Sequence, residues 1–172
     1  MATDLLQAAL NDDETATRRL LQDGADVHSR NEQRESALIV ASKHGHRDIV
    51  RLLLTNGADL DASDETGTTA LHWAVSHQHN QVVRLLLKER ADTQITDNHG
   101  RTPLHKAASR GDAILTQLLL DHGANVAAID DLGITPITLA KIGGHGAVIE
   151  ILCQKNGHGS VNETTAGPQP QF

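Results

Sequence analysis

An all-α solenoid of stacked helix-turn-helix units, joined by β-turn or hairpin loops, is the fold this sequence predicts. Three observations carry the prediction. Stepping by 33 residues from Ala8 gives Ala41, Ala74, Ala107 and Ala140, and the same step joins Leu20, Leu53, Leu86, Leu119 and Leu152. Each unit holds two short apolar-striped stretches parted by a turn signal, neither long enough to be a stable helix alone, so each unit must stack on the next. Trp73 and Phe172 are the only aromatic residues, so the core has to be built from Leu, Ile, Val and Ala, which suits thin helical layers. Repetition at a fixed interval points to architecture, whereas chemistry usually needs one site.

The elements of one unit follow from its residues. Thr102, in the hydroxyl column Thr3, Ser36, Thr69, Thr102 and Thr135, can cap a helix, and Pro103 stands at the first helical position, where its missing N–H costs nothing. A short helix runs to Arg110 and Gly111 breaks it. Ile114, Leu115, Leu118 and Leu119 then form the apolar stripe of a second helix. That helix stops near Gly123, in the column Gly24, Gly57, Arg90 and Gly123, where a left-handed residue ends a helix. "ANVAAIDDLG" carries the chain back, with Asn31, Asp64, Asp97 and Asp130 and then Gly67, Gly100 and Gly133 recurring in the loops. The units predicted are 2–34, 35–67, 68–100, 101–133 and 134–158, followed by a polar Gly/Pro/Gln-containing tail at 159–172 expected to be disordered.

Departures from the period carry their own expectations. The first unit has no glycine before its second helix and carries Arg18–Arg19 where later units are apolar, as an end cap would. The third has Gln78 and Arg90 in place of glycines, which makes it the expected weak point. The fifth has an unusually apolar second helix with Val148, Ile149, Ile151, Leu152 and Cys153. Cys153 falls in the column of Leu21, Leu54, Leu87 and Leu120 and is expected to be a small buried hydrophobe.

The segments TTALHWA, RTPLHKAA and ITPITLA, with GADL, GAN and the 33-residue step, resemble ankyrin repeats over residues 2–158. The resemblance implies that His72 and His105 bridge backbone groups of adjacent loops. His46, His79 and His145, at the start of the second helices, are expected to have a structural or helix-end role. His44 and His77 fall at a variable, solvent-facing position, where a metal shared with His46 or His79 is a rival use. That site lacks a third aligned Cys or carboxylate ligand.

Composition narrows the classes of function. A net charge of -7 with histidine neutral opposes non-specific binding to nucleic acid or anionic lipid. No apolar run approaches a membrane span. One cysteine excludes an intramolecular disulfide framework, and the amino terminus does not read as a signal peptide, so a cytoplasmic protein is expected, with the nucleus as the second choice. There is no nucleophile elbow, phosphate loop or dinucleotide fingerprint. No enzyme and no cofactor are expected.

The resemblance also implies which residues are free to read a partner. On the turn tips these are Glu32, Gln33, Glu35, Glu65, Thr66, Thr68, Asn98, His99, Arg101, Asp131, Leu132 and Ile134. At the ends of the first helices they are Lys43, His44, Ser76, His77, Ser109, Arg110, Ile142 and Gly143, with Trp73 and Lys106 beside them. The function expected is a monomeric protein-interaction module, an adaptor or scaffold, binding through a concave surface; a transcription-linked coregulator is the alternative within that class, and an enzyme or metal protein using the histidine ladder is the rival from another. Lys43, His44, His77, Lys106 and Arg110 form a basic strip leading to the apolar Leu132, Ile134 and Ile142, so the partner expected carries an acidic segment beside an apolar one.

Overall fold

A computed structural model describes residues 2–157. The tail at 159–172 lies outside the described residues. Among the described residues ten helices follow in pairs: α1 Ala2–Leu10 with α2 Glu14–Gln22, α3 Ala37–His44 with α4 Arg47–Thr55, α5 Ala70–Ser76 with α6 Asn80–Lys88, α7 Pro103–Arg110 with α8 Ala113–Asp121, and α9 Pro136–Ile142 with α10 Gly146–Gly157. Odd-numbered helices pack on odd and even on even from one pair to the next, giving two parallel rows. Among the described residues the only β pairing is two isolated antiparallel bridges, Arg30 with Ser36 and Ser63 with Thr69, at the bases of loops.

The columns of the sequence are the contacts of the stack. Leu5, Leu38, Leu71 and Leu104 are buried in the odd row, and Ala41, Ala74, Ala107 and Ala140 are wholly buried where a larger side chain would push adjacent helices apart. Leu53, Leu86, Leu119 and Leu152 do the same for the even row. Each fully buried leucine contributes about 2 kcal/mol relative to exposure. Ser36, Thr69 and Thr135 cap α3, α5 and α9 through side-chain acceptance of a backbone N–H, as the hydroxyl column predicts, whereas Thr102 stands at the N-cap of α7 with its hydroxyl on His105 Nδ1 at 2.9 Å.

The structure differs from the sequence reading at three apolar or charged positions. Ile114 is 58% exposed, because it shares a column with Thr15, Asp48 and Gln81 on the outer side of the second helices, and the buried stripe of α8 runs through Leu115 and Leu119 instead. Cys153 is exposed and not buried: Leu87 and Leu120 in its column are covered by the next outer helix, and no described helix follows α10. Arg18 aligns with Arg51 and Arg84, so only Arg19 departs from an apolar column; Arg18 pairs with Glu14 at 2.6 Å on the surface.

Two side chains occupy left-handed backbone in the third pair. Arg90 has φ +70° where its counterparts Gly57 and Gly123 have +84° and +86°, and Gln78 has φ +57° where Gly45 and Gly111 have +79° and +71°. A side chain there costs about 1 kcal/mol relative to glycine. Gln78 recovers part of it by donating from Nε2 to Asp112 Oδ2 of the next pair at 3.2 Å. Arg90 is exposed, so Arg90→Gly is expected to raise the thermal midpoint by about 2–4 °C. An unchanged or lower midpoint in a melting curve would contradict this.

Thr116 Oγ1 is buried without a hydrogen-bond partner in this structure. Its column holds Val50 and Val83, both wholly buried, whereas the hydroxyl of Thr17 bonds the Asp13 carbonyl at 2.8 Å. Thr116→Val keeps the shape and removes the desolvated hydroxyl, so a gain of about 1 kcal/mol is expected in urea unfolding. A loss would show that the hydroxyl has a partner.

Candidate functional site: the loop tips and the inner helix ends

Each loop is closed by one Asx side chain. Asp64 Oδ1 accepts the amides of Thr66 and Thr68, Asp97 Oδ1 those of His99 and Arg101, and Asp130 Oδ1 those of Leu132 and Ile134, all at 2.8–3.0 Å. The second oxygen takes a different donor each time: Trp73 Nε1 on Asp64 at 2.8 Å, Lys106 Nζ on Asp97 at 2.6 Å, and Arg101 Nε on Asp130 at 3.2 Å. Burial alone would raise these carboxyl pKa values, but the hydrogen bonds outweigh it and all three are lowered. Successive loops are tied in a ladder, the amides of Glu65, Asn98 and Asp131 donating to the carbonyls of Gln33, Thr66 and His99 at 2.9–3.1 Å.

Histidines tie the rows together. His72 Nε2 meets the Arg101 carbonyl at 3.0 Å and His105 Nε2 the Ile134 carbonyl at 3.1 Å. A carbonyl only accepts, so each Nε2 carries the proton, and each Nδ1 accepts from the backbone N–H of Thr69 or Thr102. Burial pushes the His72 imidazole down to about 4 and lowers that of His105. His46, His79 and His145 form a second set, their Nε2 atoms donating to the carbonyls of Leu10, Lys43 and Ser109 in the preceding pair at 3.0–3.1 Å. His46 and His79 precede α4 and α6 without capping them, so their structural role is to bridge pairs.

The rings of His44 and His77 stack on those of His46 and His79, each at 5.9 Å. Desolvation is the main cause lowering the His44 pKa, followed by the neighbouring His46, Lys43 and His77. His77 Nδ1 also bonds the Trp73 carbonyl at 3.1 Å. Among the described residues, no three or more His, Cys, Asp or Glu side chains are grouped to hold a metal ion.

The residues expected to face a partner divide into two sets. Glu32, Gln33, Glu65, Thr66, Asn98, His99, Asp131 and Leu132 on the tips are exposed, as are His44, His77, Ser109, Arg110, Ile142 and Gly143 on the helix ends. Glu35, Lys43, Trp73, Ser76, Arg101, Lys106 and Ile134 are half-buried. Thr68 departs from the expectation: it is buried, because its amide joins the Asp64 turn and its hydroxyl meets that of Thr66 at 2.8 Å. The basic strip is also largely neutralised within the chain. Lys43 pairs with Glu35 at 2.9 Å and lies 4.4 Å over the Trp73 ring, while Lys106 pairs with Asp97.

Sequence reasoning missed part of this face. Leu6, Gln7 and Leu10 of α1 line a cavity of about 270 Å³ with Arg30, Asn31 and Glu35 of the first loop and Val40, Lys43 and His44 of α3. The signal is the column itself, since Leu10 aligns with Lys43, Ser76, Ser109 and Ile142.

With the paired helices, the loop ladder and the T-x-L-H bridges in place, comparison with known families decides the relationship. The family model described as ankyrin repeats (3 copies) matches residues 5–97 and 87–165. The chain belongs to the ankyrin repeat family. Ankyrin repeats generally mediate protein–protein interaction and are typically non-catalytic. No curated protein matches the chain. Among the described residues of this ankyrin stack, no helix is long and apolar enough to cross a membrane.

Proposed function

We propose that this ankyrin stack is a non-catalytic adaptor that holds a protein partner along its loop tips and inner helix ends, the concave surface of the family. The observation that carries the reading is a division of labour among polar side chains. His72, His105, Asp64, Asp97 and Asp130 are buried in bonds that build the frame, whereas His44, His77, Arg110 and Ile142 at the ends of the inner helices and Leu132 on a loop tip are exposed.

Because Lys43 and Lys106 are already paired, the positive charge that the basic strip offers a partner centres on Arg110, with the apolar Ile142 and Leu132 further along the stack. The partner in this reading places an acidic group at Arg110 and an apolar one at Ile142. Opposite charge sets encounter rate and register, and the buried apolar contact supplies most of the affinity. A cytoplasmic residence belongs to the same reading and is checked by imaging a tagged chain.

The experiment is capture of a partner with the intact protein, followed by hydrogen exchange of the complex. Protection confined to the loop tips and the ends of α3, α5, α7 and α9 is expected. Protection confined to α4, α6 and α8 would place the interface on the outer row and overturn the proposal.

A further inference from the structure

The cavity beside α1 has a cause that identifies what fits it. In the third pair the space between the inner helix and its own loop is filled by Trp73, whose Nε1 donates to Asp64. Lys43 covers that ring at 4.4 Å and His77 tilts against it at 5.6 Å. One period earlier the four corresponding residues are Val40 for Trp73, Asn31 for Asp64, Leu10 for Lys43 and His44 for His77. Val40 is too short to reach Asn31, whose amide instead donates to Glu35 Oε2 at 2.8 Å. The slot is therefore open, with an apolar floor and with the loop's acceptors at its rim.

We propose that this slot is a recognition subsite for an aromatic side chain bearing a hydrogen-bond donor, an indole or a phenol, carried by an extended segment of the protein partner. The ring lies where Trp73 lies in the next pair. Leu10, 41% exposed, covers one face in place of Lys43, and His44, exposed and without a hydrogen bond from its ring in this structure, meets the edge in place of His77. The ring donor is directed at the Glu35 carboxylate, because the place of Asp64 Oδ2 is taken by Asn31 Nδ2, a donor that itself bonds Glu35 Oε2, while Asn31 Oδ1 accepts the Glu35 amide. Aromatic groups combining a large apolar area with one polar tip are the side chains that anchor interfaces most often. The inference takes its partner class from the adaptor reading, but the slot can be tested without a partner.

The test uses the full chain with methyl-labelled Leu and Val, titrated with N-acetyl-tryptophanamide and, separately, with N-acetyl-leucinamide. Saturable shifts at Leu6, Leu10 and Val40 are expected with the tryptophan probe, which binds about tenfold more tightly than the leucine probe. Val40→Trp fills the slot with the ring that Trp73 supplies one period later, and the Leu6 and Leu10 shifts disappear. Leu10→Glu, a change at an exposed residue, removes the Leu6 and Val40 shifts and serves if the tryptophan variant does not fold. No saturable shift, equal affinity for the two probes, or shifts that survive in a folded Val40→Trp protein would each overturn the proposal. None of those outcomes bears on whether a partner binds elsewhere along the tips and helix ends, which the hydrogen-exchange experiment reads.

Discussion

Replacing His72 by alanine is expected to cost about 3 kcal/mol, a large share of the stability of a domain this size. The imidazole is wholly buried between the third and fourth pairs. Its loss opens a cavity, removes the acceptor for the Thr69 N–H and hydroxyl at the start of α5, and leaves the Arg101 carbonyl without its donor. Because that carbonyl belongs to the next loop, the damage is to the interface between pairs as well as to one helix. Hydrogen exchange should therefore speed up in α5 and α7 together, with α1 and α9 less affected. A loss below about 1 kcal/mol in urea unfolding would show that the bridge is dispensable.

Acid is expected to weaken the protein in two stages, the first set by histidine. His72 titrates at about 4 in the folded chain against about 6.5 when unfolded, so between those values the unfolded state binds the extra proton. The sign follows: stability is fully present above pH 6.5 and falls as the pH drops towards 4, by about 3 kcal/mol from His72 alone. His105, also lowered, adds to the loss in the same direction. Protonation at Nδ1 would set a donor against the Thr69 N–H, which is the local reason the charged form is excluded. Asp64, Asp97 and Asp130 have folded pKa values below the ordinary carboxylate range, so their contribution is lost only at lower pH. Urea midpoints for the parent and for His72→Gln, compared between pH 7 and about pH 4.5, separate the stages. The variant should show a visibly flatter dependence, and identical slopes would remove His72 from the account.

The frame was legible in the sequence because it repeats. The alanine and leucine columns predicted the buried positions, the hydroxyl column predicted the caps, and the T-x-L-H pattern implied bridges that the structure places between Nε2 and the following loop's carbonyl. Left-handed backbone at Gln78 and Arg90 followed from the glycines in their columns. What could not be read was anything that depends on a neighbour in space. Cys153 looked like Leu120 by register but lies on a helix with no described helix stacked beyond it. Thr68 looked like a loop-tip hydroxyl but turns into the Asp64 network. The basic strip appeared free because the partners of Lys43 and Lys106 are eight and nine residues away, in the loop that each inner helix folds against. The open slot beside α1 required knowing that Trp73 fills its equivalent, which is a fact of side-chain reach.

The central functional claim is that a protein partner is read by the exposed ends of the inner helices. The most direct measurement is the affinity of the captured partner for His77→Glu with Arg110→Glu, set against Arg84→Glu on the outer row. All three residues are exposed; because His77 also packs on Trp73 and His79 and bonds the Trp73 carbonyl, the melting midpoint of the double variant is measured beside its affinity. The account predicts binding weakened by about tenfold or more in the double variant and unchanged for Arg84→Glu. Binding that is lost only with Arg84→Glu, or equally in both proteins, would contradict it.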